Sequence, residues 1–255
     1  ALRPALWNLS QAIQVSSNIY FAHVGLAVGA ETVLDTARRF GFCAPITIGP
    51  ADRALSAKAS YLTAPATSGD CSPFTDRVEL ASAAFGQARV NVTPFQMALV
   101  ASTIANGGVM PEPFVVRDVR AHQADPRKGA SSTIIERFSS PRERRVVSPQ
   151  TAGEVRSAMV DAVQGPLGRI YAGAGSVRLY GVSGVETAGK TGTAQRGEGQ
   201  APHSWFIGFA PAQDGATPAI AVAVIVEGGG AGSGRAAPIG GRVMAEWLKL
   251  LAAEG

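Results

Sequence analysis

Hydrophobic positions along the chain change their spacing about two thirds of the way through. The first part reads mostly with a helical period. Trp7–Gln14 has helical spacing, Val15–Asn18 interrupts it, and Asn18–Leu26 resumes it, with Ser16 to Asn18 placed as an N-cap. Glu31–Phe40 is a short amphipathic helix stopped by Gly41. Val78–Phe85 and Pro94–Asn106 are further helices, the second with Pro in its first turn and Asn106-Gly107-Gly108 at its end. Pro149–Val163 is a helix capped by Ser148. Between them, Cys43–Phe74 has little periodicity and many turn formers, the pattern of a lid or binding loop. Phe114–Val119 is expected as a strand, Ala121–Ser132 as an exposed loop, and Arg145–Val147 as a short return strand.

The last third has a different rhythm. Glu186–Gln195, Ser204–Ala210 and Ala219–Val226 are three strand candidates, followed by an amphipathic helix over Pro238–Ala252. Ala219–Val226 is apolar at every position, so helices should cover both its faces. Consecutive, closely spaced strands favour antiparallel pairing, and the whole predicts a layered α+β domain. No internal repeat is visible.

Composition narrows the class. The chain has 255 residues, 46% hydrophobic and 16% charged, enough for one large or two small globular domains. No apolar run reaches the ~18 residues of a membrane span, and no leader pattern stands at the start. An anchor upstream of Ala1 remains compatible with this. The net charge is +4, and the densest basic cluster (Arg142, Arg144, Arg145) lacks interleaved aromatics, so it reads as a solvated loop or strand end and not as a nucleic-acid surface. Cys43 and Cys71 are too few for a structural zinc site. They are either one disulfide, in an oxidising compartment, or two inert buried thiols. His23, His122 and His203 form no triad by spacing, the carboxylates show no paired pattern, and no metal or cofactor is implied.

One motif forces a choice. Gly184-Val185-Glu186-Thr187-Ala188-Gly189-Lys190-Thr191 matches the P-loop expression, which requires a helix starting at the lysine. The glycines and threonines that follow, with Pro202 beyond, oppose a helix. On a strand, Lys190-Thr191-Gly192 instead offers a cation, a hydroxyl and a close backbone approach along one edge, with the Thr193 N–H available to an oxyanion. An ordinary edge strand with a solvated lysine would carry the same three letters.

The surroundings decide how this motif is understood. Ala188–Gln195 resembles the K-T-G motif of penicillin-binding transpeptidases, and Ser16-Ser17-Asn18 resembles their S-x-N motif. Gly86-Gln87, Thr93–Ala98, Ala105–Gly108 and Ser204–Pro211 are similar to further stretches of that family, closest to its monofunctional class B members of actinobacterial type. The resemblance implies a penicillin-binding/β-lactamase-like transpeptidase fold over residues 1–255, an antiparallel sheet flanked by helices. It implies serine acyl transfer on a D-Ala-D-Ala stem peptide, sensitivity to β-lactams, and work on the extracytoplasmic face of the cell membrane. Division or elongation proteins are then candidate partners.

The same resemblance implies roles residue by residue. Ser16 relays a proton toward the leaving nitrogen, and Asn18 hydrogen-bonds the substrate amide. Lys190 and Thr191 hold the terminal carboxylate, Gly192 admits the substrate backbone, and the Thr193 N–H is half of an oxyanion hole. Trp205 is a candidate cleft residue, with face packing the competing role for it or Phe206. Gln96 and Met97 are read as helix packing. The family's nucleophile motif, S-x-x-K, has no counterpart: none of Lys58, Lys128, Lys190 and Lys249 follows a serine by three positions. The expectation is that the chain is the C-terminal portion of a longer domain, inactive alone, with its nucleophile helix and first strands upstream and the Ala219–Val226 edge left uncovered. The alternative is a non-catalytic penicillin-binding or wall-synthesis scaffold module.

Overall fold

The computed structural model describes residues 7–49, 54–66, 70–121, 133–137, 143–171, 177–179 and 181–254. The expected loop is described only at Ala121; its positions 122–132, His122 and Arg142 lie outside these residues.

At the centre is an antiparallel sheet of β7 (Ala188–Ala194), β8 (His203–Ala210) and β9 (Ile220–Val226), in that order. Strand alternation divides β8 between two cores. Phe206 and Ala210 face α8 (Ala236–Glu254), where Met244 and Ala245 pack on them together with Val222. Ile207 and Phe209 face the opposite side, against Ile104 of α5 (Pro94–Ala105) and Met159 of α6 (Pro149–Gln164). Both faces of β9 are therefore covered by helices, as its uninterrupted apolar sequence requires. Among the described residues, β9 pairs with β8 alone.

The ring of Phe206 is fully buried in a socket of glycines. A methyl group at Gly189 or Gly208 would lie 2.6 Å from its atoms, and one at Gly240 of α8 2.7 Å from Cε1. Three absent side chains make room for one aromatic ring, which lets α8 lie close on the sheet.

The expected helix starts hold because their caps are local. Thr93 accepts from the Gln96 N–H at 3.1 Å and Ser148 from the Thr151 N–H at 3.0 Å, each with Pro in the first turn. Upstream lie α1 (Leu9–Gln14), α2 (Asn18–Val28), α3 (Ala30–Arg39) and α4 (Arg77–Ala83). The short α7 (Pro166–Tyr171) follows α6 and has no counterpart in the sequence reading.

Three expectations are corrected. Phe114–Val119 is not a strand: only Asp118–Arg120 (β4) pairs, with β5 (Ile134–Arg137). Val115 and Val116 are exposed, so no packed face supports extension of the strand, and the ribbon is gathered instead by Asp118, which pairs with Arg117, Arg120 and Arg137. The return strand is Glu143–Arg145 (β6), two residues earlier than expected, pairing with β3 (Val109–Pro111); Val146 follows it into the core. The Cys43–Phe74 stretch is not structureless. It carries β1 (Ile46–Ile48) paired with β2 (Leu55–Ala57), and a Cys43–Cys71 disulfide that resolves the open choice between bridge and free thiols.

Candidate active site

The site begins with how α1 ends. Asn8 caps the helix in a reciprocal box with Gln11, and Ser10 and Gln14 both donate to Asp161 of α6, at 3.1 and 3.4 Å. Helix α1 is thereby held on α6. The chain then turns through Ser16, in the left-handed region at φ 55°, before α2 starts. The capping work expected of Ser16 to Asn18 falls to Ser17 alone, which accepts from the Tyr20 N–H at 3.3 Å. Ser16 is left free to point elsewhere.

It points to β7. The Lys190 ammonium donates to Ser16 Oγ at 2.9 Å and to the Thr191 carbonyl at 2.8 Å. Burial pushes the Lys190 pKa down to about 8, because the charged form loses hydration. The ammonium is still mostly protonated at neutral pH, but its proton is easier to release than that of a solvated lysine.

Among the described residues, β7 is an edge strand, bonded to β8 alone. The Thr191 and Thr193 carbonyls both accept from side chains, Lys190 Nζ of the same strand and Gln87 Nε2 respectively. Residues 191 and 193 therefore turn their backbone N–H and C=O groups to the free edge, as antiparallel alternation requires. The Thr193 hydroxyl, on the other face, accepts from the Gly232 N–H at 3.4 Å. Ser204 Oγ donates to the Ala231 carbonyl and accepts from the Ala236 N–H, each at 3.0 Å, so the glycine-rich loop before α8 is fastened behind β7.

A cavity of about 830 Å³ opens along this edge. Ser16, Asn18, Lys190, Thr191, Gly192 and Thr193 all line it. Trp205 does not. It pairs with Gly192 across the strands, its Cβ 3.1 Å from where a methyl on Gly192 would stand, so it packs beside the edge and outside the cavity wall. The sequence reading missed Gln87, Gln195 and Ser233 on the polar side, and an apolar wall that includes Ile13, Phe21, Ile104 and Met159. The helical period marks Ile104 and Met159 as buried, but nothing local says that they border a cavity. The P-loop alternative is excluded, because Lys190 lies inside a strand and not at a helix start.

The sequence matches the family described as "Penicillin binding protein transpeptidase domain" over residues 3–245. The chain belongs to this family. A curated relative, the peptidoglycan D,D-transpeptidase PbpA of Mycolicibacterium smegmatis, is 35% identical over 250 residues, 95% of this chain and 44% of the relative. The solved structure of PBPA from Mycobacterium tuberculosis superposes with a TM-score of 0.72 at 33% identity, covering 94% of this chain and 51% of that one. An imipenem acyl-enzyme complex of the M. tuberculosis protein gives 0.73, with 95% and 47% covered. The chain thus spans less than half the length of the curated relative. The fold is that of penicillin-binding transpeptidases, α+β with an antiparallel sheet between helices. Among the described residues, no helix is long and apolar enough to cross a membrane.

Proposed function

We propose that residues 1–255 are the C-terminal portion of a class B serine D,D-transpeptidase domain that cross-links peptidoglycan stem peptides and is acylated by β-lactams. The observation that carries this reading is the Lys190–Ser16 contact at 2.9 Å on the free edge of β7, inside a cavity sized for a peptide. That two short motifs 174 residues apart meet there goes beyond what a chance match of either would give.

The proposed chemistry runs in two acyl transfers. A serine hydroxyl, supplied by a segment outside this chain, attacks the penultimate D-Ala carbonyl. Its proton passes through Ser16 to the leaving D-Ala nitrogen, and the acyl-enzyme is left. An amine of a second stem peptide then attacks the ester carbonyl, an amide bond forms as the ester bond breaks, and the amine's proton returns to the serine oxygen. Lys190 and Thr191 hold the terminal carboxylate, Asn18 bonds the substrate amide, and the Thr193 N–H stabilises the oxyanion. The peptide lies against β7 as an added strand, with Gly192 allowing close approach. Residues 191 and 193 already present their backbone groups to that edge.

In this reading the chain alone is inactive, for lack of the nucleophile. The whole protein acts on the extracytoplasmic face of the membrane, held by an anchor outside these residues, with division or elongation proteins as partners. The Cys43–Cys71 disulfide supports an oxidising compartment.

The test is labelling of the full-length gene product with a fluorescent penicillin. Ser16→Ala and Lys190→Ala should each slow acylation by about 10²–10³-fold, the range for loss of one preorganised group. Wild-type labelling with both variants unchanged would refute the assigned roles.

A further inference from the structure

We propose that Gln87 is a positioning residue that holds the free edge of β7 from the outside and thereby sets the Thr193 N–H. The proposal rests on the transpeptidase reading above. Helix α4 ends at Ala83, and the chain then turns with Gly86 at φ 82° and Ala88 at φ 61°, on either side of Gln87. Ala88 has no glycine freedom, and a left-handed alanine is strained by its Cβ. Such a conformation persists only where its surroundings impose it.

Those surroundings are on the page. The Gln87 N–H donates to the Ser82 carbonyl at 3.0 Å and the Gly86 N–H to the Ala83 carbonyl at 2.9 Å. On the far side of the turn, Arg89 Nε lies 2.6 Å from Glu79 Oε1. The other carboxylate oxygen of Glu79 accepts from both the N–H and the hydroxyl of Thr75, each at 2.7 Å. The turn is bolted to α4 at both ends, and Glu79 is buried.

Gln87 is the polar side chain that this turn brings to the cavity, beside Ala84 and Phe85, and its Nε2 donates to the Thr193 carbonyl at 3.2 Å. Thr193 sits on an edge with no outer strand among the described residues, so Gln87 supplies the outside partner that a neighbouring strand would otherwise give. On the inside, the Thr193 hydroxyl is held by Gly232. Thr193 is thus gripped from both sides, and the direction of its N–H is fixed before an oxyanion forms. A catalytic group misplaced by ~1 Å can cost about 10²-fold in rate.

The experiment uses the full-length gene product and benzylpenicillin, separating pre-acylation affinity from the acylation rate constant by rapid-mixing kinetics. Gln87→Ala and the near-isosteric Gln87→Glu, which has no donor at neutral pH, should each lower the rate constant 10- to 100-fold. Affinity should change less than threefold, and the melting temperature should not move. Arg89→Leu, which frees the turn, should give a smaller loss and add little to Gln87→Ala. Wild-type rate constants in both Gln87 variants would overturn the proposal while leaving the transpeptidase reading intact. A loss that tracks affinity or melting temperature would overturn it as well. A wild-type protein that does not acylate would overturn both.

Discussion

The Phe206 socket makes a quantitative demand on stability. Replacing Gly240 with Ala puts a methyl group 2.7 Å from Cε1 of a ring that cannot retreat, because Gly189 and Gly208 close on it from the sheet side. Overpacking of a core costs about 1–3 kcal/mol, and a ring confined on three sides belongs at the upper end. Against this, Gly→Ala inside a helix gains about 1 kcal/mol. The net for Gly240→Ala is therefore a loss of about 2 kcal/mol. Phe206→Ala empties the socket and costs about 4 kcal/mol. In that background Gly240→Ala meets no ring, and only the helix gain of about 1 kcal/mol remains, so its sign reverses. The double variant should lose about 3 kcal/mol where additivity would give about 6, a coupling near 3 kcal/mol. Urea unfolding followed by tryptophan fluorescence reads this, since Trp205 lies on β8 and Trp247 on α8. A Gly240→Ala protein as stable as wild type, or a coupling below about 0.5 kcal/mol, would refute the packing argument.

Other outcomes follow from single features. The disulfide closes a separation of 28 residues, and loop entropy puts its contribution near 3.6 kcal/mol; Cys43→Ala/Cys71→Ala should unfold at correspondingly lower urea, and an unchanged midpoint would contradict it. Lys190, with its pKa lowered to about 8 by burial, should lose its hold on a carboxylate as pH rises through that value. Acylation should then show an alkaline limb near pH 8 that Lys190→Arg moves to higher pH; a limb unmoved by that variant would assign it to another group. Glu79 has its pKa lowered from 4.5 to about 2, chiefly by Arg89, so its folded form favours the carboxylate. Its stabilisation is complete above the unfolded value of 4.5 and is lost as pH falls toward 2. Glu79→Gln should flatten that part of the stability profile, and an unchanged slope would show that the carboxylate plays no part.

What the sequence made legible was what is local. Thr93 and Ser148 sit at fixed offsets from the N–H groups they cap, so α5 and α6 were readable to within a residue or two at their ends. The apolar run of β9 carried its own two-sided burial. Phe114–Val119 misled because an exposed apolar run has the same letters as a packed one, and only the missing partner tells them apart. The three-residue strands β3 and β6 are too short to establish a period. At the site, Ser16, Asn18 and Lys190–Thr193 were legible through motif resemblance. The division of labour between Ser16 and Ser17 was not, since it depends on Ser16 turning left-handed after α1. Gln87 was visible as part of a familiar stretch, yet its partner lies 106 residues away, and no local pattern encodes that contact. For Trp205 the sequence leaves two roles open, cleft lining and face packing. The pairing register puts it directly opposite Gly192, and it does not line the cavity.

The central claim is that this fold serves an acyl-enzyme. Its most direct test is the intact mass of the natural, full-length gene product before and after incubation with benzylpenicillin. The account predicts a stable increase of one drug mass, carried by a serine three residues ahead of a lysine in a segment that precedes the residues described here. No adduct on a demonstrably folded protein would contradict the account, and would leave a binding or scaffold role for the cavity around Lys190.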